Sequence, residues 1–324
     1  MKVSVCITVF NEEKSISKLL SSLLGQSRIP DEIVIVDGGS SDKTVDIIRH
    51  WQKRNNKIKF LVEKCSRAKG RNLAVELSKS DIIAMTDAGC IPKRDWLKNI
   101  VEPLKQKEID IVAGFYEMTD ITGSYPVKTR VRPLQKSFSV FLGIHPEDFN
   151  INFLPSTRSI AFRRRAWEKI GGFPEKLIDT AEDTVFNYRA IKEGLSFARV
   201  KNARVEWKMP TDFSEGIRKI FYYAKGDAKS GIWFYPLKGL VSHNIKALSI
   251  FIRYLIGFFL LVLGFTKPMM LLVLFLLLIL CSFWSFRKVY IKVGDLRAGL
   301  WGVVVQFASD FAVMSGFLSG VLGR

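Results

Sequence analysis

Paired cysteines are missing from this chain. Its four, Cys6, Cys65, Cys90 and Cys281, include no pair at CxxC spacing, and its three histidines are scattered. Neither a disulfide framework nor a zinc site is expected. Cys6 sits in an apolar strand-like run and Cys281 in a longer apolar one, so buried thiols in a reducing compartment are the natural reading. Also missing is the phosphate cradle that ends in Gly-Lys-Ser/Thr. Acidic residues are few: 31 Asp and Glu against 49 Lys and Arg leave a net charge of +18 over 324 residues. Such a charge favours anionic partners, whether nucleic acid, acidic lipid or phosphorylated ligands. Internal repeats and low-complexity linkers are absent. A secretory signal is absent too, because Asn11, Glu12, Glu13 and Lys14 cut short the apolar run from Met1 to Phe10. The first domain is therefore expected to stay in the cytoplasm.

What is present begins with alternation. Strand signals at Val3–Val9, Glu32–Val36, Ile58–Val62, Ile82–Thr86 and Ile109–Ala113 alternate with helix signals at Ile16–Leu24, Thr44–Arg54, Lys69–Leu77 and Trp96–Leu104. This pattern predicts an α/β fold with a mostly parallel, Rossmann-like sheet flanked by helices. Ligands of such sheets bind beyond the carboxyl ends of the strands. Residues 115–207 lose the regularity, with a helix expected at Thr184–Lys192 and strand-like pieces at Phe197–Val200 and Arg204–Trp207.

From about Phe213 the chain turns aromatic and basic, as at membrane–water interfaces. Ala247–Phe265 and Pro268–Phe286 are each long enough to cross about 30 Å of hydrocarbon, and only Thr266 and Lys267 part them. A helical hairpin is expected, with Arg287, Lys288, Lys292 and Arg297 on the cytoplasmic side. A third run, Gly299–Gly323, is interrupted by Gln306 and Asp310. It reads as a span or as an interfacial helix. Its small residues Ala308, Ala312, Gly316 and Gly320 would admit a closely packed helix. These runs favour membrane lipids over nucleic acid as the anionic partner.

Polar residues follow the strands at chosen places. Thr8-Val9-Phe10-Asn11-Glu12-Glu13 closes the first strand; as a helix-start carboxylate it would be ordinary. Val36-Asp37-Gly38-Gly39-Ser40-Ser41-Asp42-Lys43-Thr44 follows the second: Asp37 can accept bonds from ribose hydroxyls or a base N–H, and glycines admit a ligand close to backbone. Ser40 and Asp42 can equally cap the next helix. Arg67, Lys69 and Arg71 lie around a helix start, where they suit a base, a phosphate or plain solvent. Asp87, at the tip of a buried strand, can hold a divalent cation that bridges a diphosphate. Within Thr180-Ala181-Glu182-Asp183-Thr184, Thr180 can cap a helix, or Asp183 can take a proton from an incoming hydroxyl.

Together these segments, with Gly70-Arg71-Asn72, Asp87-Ala88-Gly89, Gly171-Gly172-Phe173 and Glu182-Asp183, resemble inverting family 2 glycosyltransferases of the GT-A fold, over about residues 1–235. The resemblance implies a GT-A domain (1–235) with a nucleotide-sugar half (1–114), an acceptor half (115–212) and an interfacial segment (213–246), ahead of a multi-pass anchor (247–324). It implies that Glu12 and Asp37 hold the nucleoside and that Arg71 assists at base or phosphates. Asp87 would bind Mg2+ or Mn2+ and the diphosphate, and Asp183, with Glu182 as competitor, would be the catalytic base. The donor would be a nucleoside-diphosphate sugar, a UDP-sugar foremost, and the acceptor a lipid-linked molecule or glycan at the cell membrane. Many members carry Asp-x-Asp where this chain has Asp87-Ala88-Gly89, which removes one metal ligand. A nucleotidyltransferase on a similar sheet would want a Gly-rich basic stretch where Asn11-Glu12-Glu13 stands. A catalytically dead nucleotide-sugar binder is the other alternative, and retention of Asp37, Asp87 and Asp183 argues against it.

Overall fold

The computed structural model describes residues 1–119, 131–143, 145–176, 180–235 and 240–323. In chain order the first elements are β1 (Val3–Val9), α1 (Ile16–Leu24), β2 (Glu32–Asp37), α2 (Thr44–Arg54), β3 (Ile58–Val62), α3 (Arg67–Leu77), β4 (Ile82–Met85), β5 (Cys90–Pro92) and α4 (Trp96–Val101), which a 3-10 turn, Glu102–Lys105, continues. Then come β6 (Ile111–Thr119), α5 (Pro133–Leu142), β7 (Ile160–Arg163), α6 (Arg164–Lys169), α7 (Glu182–Lys192) and β8 (Phe197–Lys208). Four longer helices close the chain: α8 (Phe213–Ser230), α9 (His243–Gly264), α10 (Pro268–Val293) and α11 (Leu296–Leu322).

The strands form one mixed sheet in the order β3-β2-β1-β4-β7-β6-β8-β5. β3, β2, β1 and β4 run parallel, β7 runs against both β4 and β6, and β8 is parallel to β6. The two strand-like pieces expected near 197–207 are one strand, β8, whose pairing with β6 shifts register between Gly114 and Phe115. Alternation on β1 explains the two-sided core. Val3, Val5, Ile7 and Val9 join Leu19, Leu20 and Leu23 of α1, Ile48 of α2 and Trp96 of α4 on one face. Cys6 joins Val34 and Val36 of β2, Ala74 and Val75 of α3 and Phe186 of α7 on the other. Burying each of these aliphatic side chains contributes roughly 1.5–3 kcal/mol.

Direction is what builds the site. The parallel strands bring the ends of β1, β2 and β4 to one edge. Because β7 is antiparallel to β4, pairing Met85 with Ile160, the residues just before β7 arrive at that same edge.

Contacts divide the chain into two compact units, Met1–Gly123 with Ile144–Lys208, and Ser124–Gly143 with Met209–Arg324. The second is helical. α9 and α10 form the hairpin, close enough that a Cβ at Gly264 would lie 2.3 Å from Leu271. Arg287, Lys288 and Lys292 fall in the last turns of α10 rather than beyond it. The aromatic, basic stretch after Phe213 is a regular helix, α8, with buried Gly216, Ile220, Ala224 and Ala228. It is α8 that fills the small-residue stripe of α11: Cβ atoms at Gly316 and Gly320 would lie 2.3 and 2.4 Å from the Phe221 and Lys225 carbonyl oxygens.

Candidate active site

The loops after β1 and β2 are stitched together. Asn11, held at φ 55°, donates its N–H to Ser40 Oγ (2.8 Å) and accepts from the Ser41 N–H at Oδ1 (2.9 Å). The Glu12 N–H donates to Thr44 Oγ1 (2.7 Å) and the Glu13 N–H to Asp42 Oδ2 (3.1 Å). Asp37 is fully buried. Its Oδ1 accepts from the Gly39 and Ser40 N–H groups (2.9 and 2.8 Å) and its Oδ2 from Ser40 Oγ (2.6 Å). Its carboxylate thus shapes the loop in which Gly39 sits at φ 93°. Phe10, 60% exposed, stands beside Gly38 at the rim. Burial pushes the Glu12 carboxyl above its usual range; a bond from Ser15 opposes this, and Asp42 and Asp87 reinforce it.

Arg71 is the centre of the site. Only 2% exposed, it donates Nη2 to Asp87 Oδ1 (2.8 Å) and Nη1 to Glu182 Oε1. Its guanidinium also lies 5.8 Å from the Phe173 ring centroid. Arg71 therefore reaches two carboxylates with its two Nη groups. α3 begins at Arg67 rather than Lys69, because Ser66 caps it by accepting from the Lys69 N–H (3.3 Å). Arg67, with a 55% exposed side chain, adds a second cation 3.5 Å from Glu182.

The carboxylates around Arg71 diverge. Burial raises Asp87, but Arg71, Arg158 and Arg67 outweigh it and hold the carboxyl below its usual range. Glu182, 5% exposed, is likewise pulled down against its burial by Arg71 and Arg67. Asp183 goes the other way: burial and then the neighbouring Glu182 push it up, and Arg158 and Arg71 only partly offset them. The N-cap position is not Thr180. α7 starts at Glu182, and its N-cap is Ala181, in the left-handed region at φ 71° with no side-chain cap. Such a non-glycine outlier costs on the order of 1 kcal/mol or more, and here it sets the direction of Glu182 and Asp183.

Arg158 escaped the sequence reading. It lies in the irregular stretch before β7, where no periodicity marks it. The antiparallel turn of β7 carries it to the site. Its guanidinium stacks 4.1 Å from the Trp207 ring centroid and 5.0 Å from that of Tyr116, and Nη1 donates to Ser156 Oγ (3.0 Å). Its neighbour Thr157 points Oγ1 at Asp87 Oδ2 (3.5 Å).

Asn72 joins two motifs that stand a hundred residues apart. Its Oδ1 accepts from the Phe173 N–H (2.8 Å) and Trp167 Nε1 (3.1 Å). Its Nδ2 donates to the Phe173 carbonyl (2.9 Å) and Glu175 (2.8 Å). At about 1 kcal/mol per bond, and more for buried groups left unpaired, Asn72→Ala is expected to remove several kcal/mol of stability. Denaturant midpoints of the purified variant test this; a midpoint equal to the parent's would refute it.

A mixed sheet with nucleotide-type loops and carboxylates at one edge is the GT-A architecture. The mannosyltransferase PcManGT from Pyrobaculum calidifontis, solved with GDP-Man and Mn2+, shares this fold with a TM-score of 0.58. It matches 94% of this chain and 86% of its own length at 20% identity. The profile of glycosyl transferase family 2 matches residues 4–171, just over half the chain. The chain belongs to that family and is a glycosyltransferase. Among its relatives, glycosyltransferase AglE of Haloferax volcanii is 27% identical over 260 residues, 79% of this chain and 81% of that protein. A Methanococcus voltae enzyme named dolichyl N-acetyl-alpha-D-glucosaminyl phosphate 3-beta-D-2,3-diacetamido-2,3-dideoxy-beta-D-glucuronosyltransferase is 35% identical over 119 residues, 35% of this chain and 37% of its own length.

Proposed function

We propose that the chain transfers a sugar, with inversion, from a nucleoside-diphosphate sugar to a lipid-linked acceptor at the cytoplasmic membrane face. The observation that carries this is the cluster of carboxylates gathered around Arg71, with Asp87 and Glu182 bonded to the guanidinium and Asp183 next to Glu182; in it arginines hold Asp87 below its usual range and burial pushes Asp183 above it. Titratable neighbours pushed apart in this way mark an assignment of roles. Asp183 takes the proton of the attacking hydroxyl, whereas Glu182 stays bound to Arg71 and holds it in place. Arg67 and Arg158 face the diphosphate and stabilise the charge that develops on it. Phe10 offers a stacking face beside the Gly38–Ser41 loop, which takes the nucleoside with Glu12, and Asp37 keeps that loop in shape.

The residues fit a divalent cation held by one carboxylate together with substrate phosphate oxygens, a common Mg2+ arrangement. Asp87 Oδ2 accepts a long contact from Thr157 Oγ1, and a Cβ at Gly89 would meet nothing within 4 Å. Among the described residues, no three His, Cys, Asp or Glu side chains form a ligand cluster, which suits a single-carboxylate site. Bound there, the cation would neutralise the leaving diphosphate. Calorimetry with UDP or GDP and Mn2+ tests the site: Asp87→Ala is expected to abolish metal-dependent binding and turnover, and Asp37→Ala to weaken nucleotide binding. Undiminished binding and turnover in both variants sinks the assignment, and an NMR readout of the product's anomeric configuration tests inversion.

The acceptor reading is supported by the lipid-phosphate substrate in the Methanococcus voltae name and by three helices long and apolar enough to cross a membrane. The hairpin of α9 and α10 crosses it, with its basic ends in the cytoplasm. Reporters inserted near Lys267 and near Lys292 are expected on opposite sides; both on one side rules the hairpin out.

A further inference from the structure

Length and composition would let α11 cross the membrane as α9 and α10 do, but its contacts set it apart. It starts against the foot of α10, where Cβ atoms at Gly299 and Gly302 would each come within 2.6 Å of a side chain, Phe286 and Val289 respectively. A helix folding back along the hairpin would stay beside α10. After the next fifteen residues, about 22 Å, Phe317 would be level with the turn around Met270–Leu274. Phe317 instead packs with Ala247 and Ala228, its ring 5.8 Å from that of Phe251, in the first turns of α9. Midway, Asp310 takes the Arg253 guanidinium and the Tyr254 hydroxyl, the latter at 3.2 Å. α11 thus bridges the hairpin from one foot to the other.

Its two faces differ. The inner face is closed by α8, through the carbonyl contacts at Gly316 and Gly320, and by Phe138 of α5, which clusters with Val305 and Ala312. α8 follows α11 along its length, from the Phe213–Trp301 ring pair to Lys225 against Gly320. It carries Glu215, Arg218, Lys219, Lys225, Asp227 and Lys229. A crossing α11 would draw these six ionisable side chains into hydrocarbon, which membranes strongly resist. The outer face is an exposed stripe, Leu300, Val304, Phe311 and Leu318, at one helical azimuth and without charge.

We propose that α11 is not a third crossing but lies flat in the boundary between headgroups and acyl chains, with this stripe toward the lipid. The occupant of the face is the bilayer surface. The exposed Arg287, Lys292 and Arg297 at the same foot supply the positive charge that anionic headgroups attract. The inference rests on the hairpin being membrane-inserted, and it leaves the chain with two crossings, so that its C-terminal residues return to the side of Lys292.

Depth measurement decides. The full chain, with Cys65→Ala and Cys281→Ala and the buried Cys6 and Cys90 retained, is given one label site at a time: Val304→Cys, Leu318→Cys or Leu276→Cys. All three sites lie on exposed faces, so core packing is untouched. In liposomes containing phosphatidylglycerol, a polarity-sensitive fluorophore at each site is quenched by lipids brominated at graded depths. Positions 304 and 318 are expected at one shallow depth and position 276 deep. A difference of about 21 Å between 304 and 318 overturns the proposal in favour of a crossing. Labels at 304 and 318 in water, with 276 deep, overturn it while the hairpin stands. No quenching at 276 either removes the hairpin itself.

Discussion

Asp183→Asn is expected to lower kcat by about a hundredfold or more while leaving nucleotide affinity and thermal stability near those of the parent. An alcohol attacking the anomeric carbon must lose its proton as the bond forms, and a positioned carboxylate supplies that scale of acceleration. Asparagine keeps the size and the bond to the Thr184 N–H but has no basicity. Glu182→Gln makes the contrast. Its carboxylate is bonded to Arg71, so its loss is expected to appear first as instability. The raised pKa of Asp183 also sets a pH signature. The base works only when ionised, so the acid limb of kcat/KM lies above the usual carboxylate range and disappears in Asp183→Asn. Turnover at the parental rate in Asp183→Asn with loss in Glu182→Gln would reverse the two roles. If neither variant lost rate, the acceptor would be a phosphate that needs no base.

Arg71→Met is expected to be the most damaging single change to the catalytic unit. It leaves Asp87 and Glu182 without their shared partner. Removing one member of a buried charge network costs roughly 3–5 kcal/mol, or a fall of about 10 °C in apparent Tm for a unit of this size. The pH dependence weakens with it. In the parent, Asp87 and Glu182 are held below their unfolded range. They therefore stabilise the fold above the ordinary carboxylate range, and the contribution is lost as pH falls through the depressed values. Without Arg71 the largest of the charges that oppose burial is gone, while Arg158 and Arg67 still act on Asp87 and Arg67 on Glu182; both pKa values rise, and less stability is lost on acidification. Melting curves of parent and variant from neutral to mildly acid pH read this directly; parallel curves would contradict the network. Arg71→Lys keeps the charge but not the two-pronged reach, and is expected to fall between the two.

Much of the nucleotide half was legible because its signals are local. α1, α2 and β3 appear at the predicted bounds, since amphipathic period and flanking turn residues both lie within each segment. β5 and β7, of three and four residues, were not read because neither offers the unbroken apolar run by which the equally short β4 was picked out. β7 also leads straight into a run of arginines. Asp87 and Asp183 could be picked out as carboxylates after a strand and before a helix. That Arg71 binds both Asp87 and Glu182 could not, because the Glu182 partner is 111 residues away. Arg158 matters only because an antiparallel strand delivers it, and the sequence showed nothing of that strand's direction.

The small residues of α11 also order events during synthesis. α8 leaves the ribosome long before the segment that covers it, and until Gly316 and Gly320 arrive the face of α8 around Ala224 and Ala228 lacks the close cover those glycines give it. Domains otherwise fold as they emerge, N-terminal first. This one closes only when α11 has been made, so a message cut short within that helix yields a catalytic unit attached to an open, adhesive one. Such a product would be recognised as unfinished by its exposed apolar surface alone.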